Sequence, residues 1–134
     1  MPEPLTSDAF IRVAEFRASL RRFLRRSERA ARAAGLTPQR YLLLLMIKGA
    51  ADGSEQSTVT DLADRLQLAQ STVTELVSRA EEVGLVARET STADGRVAHL
   101  RLTEEGERRL SRSFTNLAAE REQLRAAFVH LDEA

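Results

Sequence analysis

Polar side chains recur on one face of the stretch from Ser71 to Gly84, and their spacing indicates a helix. The apolar residues of this stretch fall at i, i+3, i+4 and i+7, on one stripe of a 3.6-residue helix, and are Val73, Leu76, Val77 and Ala80. The opposite face carries Ser71, Thr74, Glu75, Ser78, Arg79 and Glu82, and Gly84 supplies a left-handed stop. Side chains of this kind suit hydrogen bonding to base edges and phosphates in a major groove; an ordinary solvated face is the alternative.

The sequence holds no constellation typical of catalysis or of metal binding. The absence of Cys excludes disulfides and thiol chemistry. His99 and His130 are the only histidines and lie far apart, so a zinc site would need several carboxylates. No nucleophile–base pair or phosphate-cradling glycine loop occurs, and Asp61 and Asp64, one helical turn apart, fit a surface helix. We therefore expect no enzyme activity, no metal and no cofactor.

Length and composition indicate one domain with an aliphatic core. The chain has 134 residues, few aromatics and a formal net charge of zero. Its first twenty residues lack the apolar run of a signal peptide, and the longest apolar run, Tyr41 to Ile47, is too short to cross a bilayer. We expect a soluble cytoplasmic protein without a membrane partner.

Charge is distributed unevenly along the chain. Residues 1–33 carry eight Arg against four acids, which gives +4, whereas residues 57–102 carry five Arg against seven acids, which gives −2. The basic stretch is Arg21, Arg22, Arg25, Arg26, Arg29 and Arg32. It fits a solvated helix face, a surface that contacts phosphates, or one that lies on an anionic membrane.

Both ends of the chain predict long helices with apolar seams. Behind a cap at Thr6 or Ser7, apolar and small residues step by four and three as far as Gly35: Ala9, Val13, Phe16, Leu20, Phe23, Ser27, Ala30 and Ala34. Thr103 caps a last helix, which tolerates Gly106 in its first turn and runs almost to the end along Leu110, Phe114, Leu117, Arg121, Leu124, Phe128 and Leu131. Together the two seams carry more apolar surface than a small domain can bury, which favours a homodimer that covers them.

The middle of the chain predicts a helix-turn-helix followed by a hairpin. Thr37-Pro38 starts a core helix that stops at Gly49 and, being apolar from Leu42 to Ile47, is buried on nearly every side. After a brief strand at residues 57–59, Thr60 caps a helix over residues 61–66, and a tight turn at residues 67–69 leads to the helix at Gln70. Strands at residues 85–89 and 97–102 flank the turn signal Asp94-Gly95.

The expected fold is mainly α with a small β-hairpin wing. It is a winged helix-turn-helix flanked by long N- and C-terminal dimerisation helices. The predicted units are residues 1–34, the N-terminal dimerisation helix; residues 35–103, the winged core with its wing at about 85–102; and residues 104–134, the C-terminal dimerisation helix.

Through the runs at residues 36–47 and 58–110, the chain resembles the MarR family of bacterial transcription regulators, and the resemblance covers about residues 10–125. Asp94-Gly95-Arg96 is similar to the family's D-x-R wing, and Leu102 to Gly106 to the L-T-x-x-G start of its next helix. The resemblance implies a homodimer, usually a repressor, on a pseudo-palindromic operator of double-stranded DNA. It places the helix from about Gln70 to Val83 in the major groove, where Ser71, Thr72 and Thr74 match positions that bind phosphates or bases.

The wing completes the predicted DNA-binding set. The resemblance implies that Arg96 reaches the minor groove, whose negative potential suits Arg, and that Asp94 positions it; for Asp94 the alternative is a simple turn former. The set is Gln70, Ser71, Thr72, Thr74, Glu75, Ser78, Arg79, Asp94 and Arg96. Glu75 departs from the family, where a basic residue is common, but a carboxylate can accept from cytosine N4.

The resemblance also implies a small-molecule effector, often an aromatic or phenolic acid, between the dimer helices and the winged core. Candidate walls are Phe16, Leu20, Tyr41 and Leu45, with Leu110 beside them, although each also fits a core position. The C-terminal part is short, so it holds one long helix or a truncated second one. A competing interpretation, motivated by the acidic core and Glu75, is a winged-helix module that binds a protein partner and has lost or weakened DNA binding.

Overall fold

The computed structural model describes residues 5–90, 97–115 and 117–131. Within these ranges the fold is mainly helical with one two-stranded antiparallel sheet, as predicted. The elements in order are α1 (Ser7–Ala33), α2 (Pro38–Lys48), α3 (Val59–Leu66), α4 (Gln70–Glu82), β1 (Val86–Thr90), β2 (Ala98–Leu102), α5 (Glu104–Thr115) and α6 (Ala118–Leu131). None of the helices in the described part of the chain has the length and apolar character needed to cross a membrane.

Threonines begin the helices of the first half. Thr6 Oγ1 accepts from the Ala9 amide at 3.3 Å, and Thr37 Oγ1 accepts from the Arg40 amide at 3.1 Å, each satisfying an amide that the helix leaves unpaired. Pro38 follows at the first helical position. Both predicted starts are confirmed.

The start of α3 corrects the sequence prediction. Thr58, not Thr60, is the N-cap, and its Oγ1 accepts from the Asp61 amide at 3.2 Å. The predicted strand at residues 57–59 is reduced to one bridge, in which Ser57 exchanges backbone hydrogen bonds with Leu100 at 3.0 and 2.8 Å. Because Ser57 is paired with the sheet, the chain can turn into the helix at the next residue.

The core lies between α2, α3, α4 and the hairpin. Its fully buried side chains are Leu43, Leu44, Ile47, Leu62, Val73, Val77, Leu85 and Leu100. The prediction that α2 is buried on nearly every side is wrong at Leu42, which is 41% exposed. Each residue turns a helix by about 100°, so six consecutive apolar residues point all round it and one must face away from a one-sided core.

The turn between α3 and α4 forms without glycine. Gln67 takes the left-handed conformation, with φ 55° and ψ 48°. The Leu68 amide then donates to the Ala63 carbonyl at 3.1 Å, which closes the end of α3. This turn leads directly into α4, whose predicted start at Gln70 is confirmed.

The hairpin follows α4 in the predicted position. Val86 pairs with Leu102, Arg88 with Leu100 and Thr90 with Ala98. The predicted turn, with Asp94 and Arg96, lies outside the described residues.

The described C-terminal region contains two helices, which decides between the two alternatives that the sequence left open, one long helix or a truncated second one. α5 ends at Thr115 and α6 begins at Ala118, with Leu117 buried between them. The Arg121 guanidinium lies 3.8 Å from the centre of the Phe114 ring and donates to the Phe114 carbonyl. The charged residue that interrupts the predicted seam thus satisfies a carbonyl at the end of α5.

Candidate nucleic-acid interface

All seven predicted binding residues of α4 are exposed. They are Gln70, Ser71, Thr72, Thr74, Glu75, Ser78 and Arg79. Val73, Val77 and Ala80 on the other side of the helix are fully buried. The structure therefore places these polar side chains on the outer part of one helix whose inner stripe is fixed in the core.

The first turn of α4 also offers backbone donors. Its N-cap is Ala69, which makes no side-chain cap hydrogen bond, unlike the threonine caps of α1, α2 and α3. The first amides of an uncapped helix point outward and carry the positive end of the helix dipole, which attracts anions such as phosphate.

Glu75 and Arg79 form an ion pair one turn apart on the exposed face. Glu75 Oε1 lies 2.6 Å from Arg79 Nη2, and the side chains are 63% and 62% exposed. Arg79 is the only basic residue of α4. The one cation on this face is therefore already paired with a carboxylate.

One ion pair connects the hairpin to α4, and another connects its two strands. Arg88 of β1 donates to Glu81 of α4 at 2.8 Å, and Arg101 of β2 donates to Glu89 of β1 at 2.9 Å. The described base of the hairpin is thereby oriented relative to α4.

The junction between α4 and α5 is packed more closely than the sequence predicted. Gly84 ends α4 with φ +76°, and Thr103 Oγ1 donates to its carbonyl at 2.6 Å while accepting from the Gly106 amide at 3.1 Å. A Cβ on Gly106 would lie 2.2 Å from the Leu85 carbonyl oxygen. Gly106 is thus required by a close backbone approach and is not merely tolerated, and only the L-T-x-x-G pattern hinted at this.

Two cations hold the C-terminal end of α2, and sequence reasoning missed both. Arg65 of α3 donates to the Met46 and Gly49 carbonyls, each at 3.1 Å. Lys48 Nζ lies 2.9 Å from Glu107 of α5 and 3.1 Å from Glu55, and the hydrogen bond to Glu107 is the main reason that the pKa of Lys48 is raised. These contacts fix α2 relative to α3 and α5.

Comparison with known proteins agrees with this geometry. Residues 34–97 match a family model described as MarR family. The chain is 37% identical over 73 residues to the HTH-type transcriptional repressor MdtR of Bacillus subtilis (strain 168), a match that spans 54% of this chain and 44% of MdtR. Over this central part the chain is similar to MarR-family proteins.

Solved structures of MarR-family proteins share the fold. AbsC, a MarR family transcriptional regulator from Streptomyces coelicolor, superposes with a TM-score of 0.69 at 22% identity over 98% of this chain and 86% of AbsC. A mutant of E. coli MarR complexed with operator DNA gives 0.66 at 17% identity over 91% of this chain and 85% of that one. The chain therefore has the winged-helix fold of these solved structures.

The basic stretch lies on a different element from the α4 face. Arg21, Arg25, Arg29 and Arg32 are exposed on α1, which packs against α2, α5 and α6. Arg26 lies 3.6 Å from Glu120 of α6. The Arg-rich stretch thus lies on α1, whereas the predicted binding residues within the described chain lie on α4.

The predicted effector residues fall on two parts of the chain. Tyr41 is buried in the hydrophobic core, and Leu45 is partly buried and packs against that core, whereas Leu20 is half-buried on α1. Phe16 instead meets Phe128 edge-on at 5.9 Å between ring centres. Phe16, Phe23, Leu124 and Phe128 line an open apolar groove between α1 and α6, with Arg121 and Arg125 beside it. Of the four predicted residues, only Phe16 lines this groove.

Proposed function

We propose that this chain is a MarR-family transcription regulator, a homodimeric repressor that binds a pseudo-palindromic operator in the cytoplasm. The observation that carries the proposal is the α4 face, on which seven predicted binding residues are exposed above a fully buried stripe. We name α4 the recognition helix. A helix fixed in this way can enter a major groove without disturbing the core behind it.

Relatives support DNA as the partner. The E. coli MarR mutant was solved with operator DNA, and a MepR mutant of S. aureus was solved bound to an oligodeoxyribonucleotide. Both share the fold of this chain, with TM-scores of 0.66. Arg96, on the predicted wing outside the described residues, is proposed to reach the minor groove with Asp94 beside it.

Exposed apolar side chains on the terminal helices support a dimer. Phe10 is 61%, Val13 is 51% and Phe128 is 61% exposed in the single chain. Burying such residues against a second copy removes apolar surface from water at about 25 cal/mol per Å². A twofold dimer presents its two recognition helices to successive major grooves about 34 Å apart.

Effector control is the last part of the proposal. A small aromatic or phenolic ligand bound near the dimer helices releases the operator if it favours a different spacing of the two recognition helices. A coupling free energy of about 1–3 kcal/mol changes operator affinity about 5- to 150-fold. The open apolar groove lined by Phe16 and Phe128 is accessible to such a ligand, whereas Tyr41 is buried in the core. The groove is therefore the better-supported binding site.

Selection of bound DNA from a random pool tests the proposal. A palindromic consensus is the expected result, and the measured affinity should fall steeply as salt rises, since phosphate contacts release counterions. Arg96→Ala should weaken operator binding and leave the dimer intact, as judged by sedimentation. Unchanged affinity of that variant at physiological salt would contradict the wing's proposed role.

The second candidate is a winged-helix module with a protein partner. It is favoured by the net charge of −2 over residues 57–102 and by Glu75 on the recognition helix. Failure to bind any duplex at low salt would select this candidate, because even non-specific DNA binding is strong under that condition.

A further inference from the structure

The Glu75–Arg79 pair presents an acceptor and a donor side by side at the middle of the recognition helix. The contact of 2.6 Å joins Glu75 Oε1 to Arg79 Nη2, and each side chain is more than 60% exposed. Glu placed four residues before a cation is the favourable order on a helix. The two groups therefore form one unit on the helix surface before any DNA arrives.

The pair leaves hydrogen-bonding capacity on both partners. The guanidinium has five N–H donors and spends one on Oε1, while the carboxylate keeps Oε2 and further lone pairs. The pair therefore offers a free acceptor next to a fork of free donors.

This pattern complements one base pair in the major groove. A C·G pair presents the N4 donor of cytosine next to the O6 and N7 acceptors of guanine. An A·T pair also has a donor, but its acceptors lie on either side of that donor and a methyl group stands beside thymine O4. Only guanine offers two adjacent acceptors to a guanidinium fork.

We propose that Glu75 and Arg79 act as one unit that reads a C·G base pair, with Glu75 accepting from cytosine N4 and Arg79 donating to guanine O6 and N7. The inference rests on the proposed function and adds to it a base identity. Arg79 is held in place by Glu75, so Glu75 both contacts a base and orients the guanidinium.

The other acids of the recognition helix do not share this arrangement. Glu81 is engaged by Arg88 at 2.8 Å and faces the hairpin. Glu82 is the last helical residue and is exposed. Glu82 therefore provides a matched control, since its neutralisation removes one charge from the same helix and leaves the Glu75–Arg79 pair intact.

The test compares the full-length wild type with Glu75→Gln and Glu82→Gln. Each protein selects duplexes from a random pool, and its dissociation constant is then measured on four versions of the selected site that differ at the read base pair. The wild type should prefer C·G by about 5- to 150-fold, the discrimination typical of a good base contact. Glu75→Gln should reduce that preference to within about threefold, because the neutral amide no longer forms the ion pair that orients the Arg79 guanidinium toward guanine and, unlike a carboxylate, donates as well as accepts.

A second measurement separates base reading from charge. Both variants should bind random duplex more tightly than wild type, since each subunit loses one negative charge near phosphates. Only Glu75→Gln should also lose the C·G preference. Circular dichroism and a thermal melt check that both exposed-site variants stay folded.

The outcomes distinguish the two proposals. If the wild type selects no DNA, the proposed function fails and this inference fails with it. If the wild type selects an operator and Glu75→Gln keeps the same preference, only the base-reading pair is overturned. An equal loss of preference in Glu82→Gln would likewise overturn it, because general charge would then account for the effect.

Discussion

The Thr103 hydroxyl donates to the Gly84 carbonyl over 2.6 Å and so joins the start of α5 to the turn that ends the recognition helix. The same oxygen accepts from the Gly106 amide at 3.1 Å, and the Thr103 amide donates to the Leu85 carbonyl at 3.1 Å. One residue thus anchors a terminal helix and the beginning of the hairpin together.

Replacing Thr103 with Val should destabilise this junction. The variant loses the donor to Gly84 and the cap of α5 while keeping the side-chain shape, so the free energy of unfolding should fall by about 1–2 kcal/mol. Urea unfolding followed by circular dichroism measures the change. Thr103→Ser keeps the hydroxyl and should cost much less; an equal loss in both variants would mean that the methyl group is what matters.

Gly106→Ala should be strongly destabilising although it introduces a better helix former. Helix propensity alone predicts a gain of about 1 kcal/mol, whereas the new Cβ would lie 2.2 Å from the Leu85 carbonyl oxygen and the backbone must shift. Overpacking of this kind costs about 1–3 kcal/mol or more. The sign of the change in thermal midpoint shows whether helix propensity or the steric clash dominates. A higher midpoint would contradict the close approach of the two backbones.

The ion pairs of Lys48 should make a small contribution that depends on salt and pH. Its side chain is 36% exposed, so Lys48→Met should cost about 0.2–1 kcal/mol at low salt and less at high salt. Hydrogen bonds to Glu107 and Glu55 raise the pKa of Lys48. The contribution is therefore present below the ordinary Lys pKa and is lost as pH rises through the raised value.

A double-mutant cycle isolates the main partner of Lys48. Lys48→Met, Glu107→Gln and the double variant are melted between neutral pH and about pH 11, where an ordinary lysine with a pKa of about 10.4 loses its proton. Wild type should lose more stability than Lys48→Met toward the alkaline end. Equal losses, or strictly additive costs in the cycle, would show that the pair contributes nothing.

Phe128→Ala should weaken the proposed dimer. Phe128 meets Phe16 at 5.9 Å between ring centres yet is 61% exposed in the single chain, so a second copy has apolar surface to cover. We expect the dimer dissociation constant to rise about tenfold or more, by analogy with aromatic residues in other interfaces. Sedimentation measures it, and Glu122→Ala on another side of α6 serves as the control that should leave it unchanged.

The sequence predicted those features that depend on local periodicity and capping. The recognition helix was found because Val73, Val77 and Ala80 repeat at the helical period, and Thr37-Pro38 marked the start of α2. Thr58 and Thr60 lie two residues apart and either can cap a helix; the backbone pairing of Ser57 with Leu100, 43 positions away in the chain, decides between them.

Tertiary contacts explain what the sequence did not reveal. The end of α5 carries no Pro or Gly, and the carbonyl that Arg121 satisfies becomes visible only when the chain has turned into α6. The need for glycine at position 106 arises from the Leu85 backbone, more than twenty residues earlier. The ion pair between Glu75 and Arg79 could have been predicted from the sequence, because a carboxylate and a cation four residues apart on a helix can pair.

For the proposed DNA-binding function, that ion pair also affects how the protein is distributed among the sites of a chromosome. A genome offers about 10⁶–10⁹ competing non-specific positions, and a recognition helix whose only arginine is already paired holds each of them weakly. Fewer molecules are then sequestered away from the operator. If the proposed function holds, the Glu75–Arg79 pair lowers the number of copies that a cell must make to keep one operator occupied.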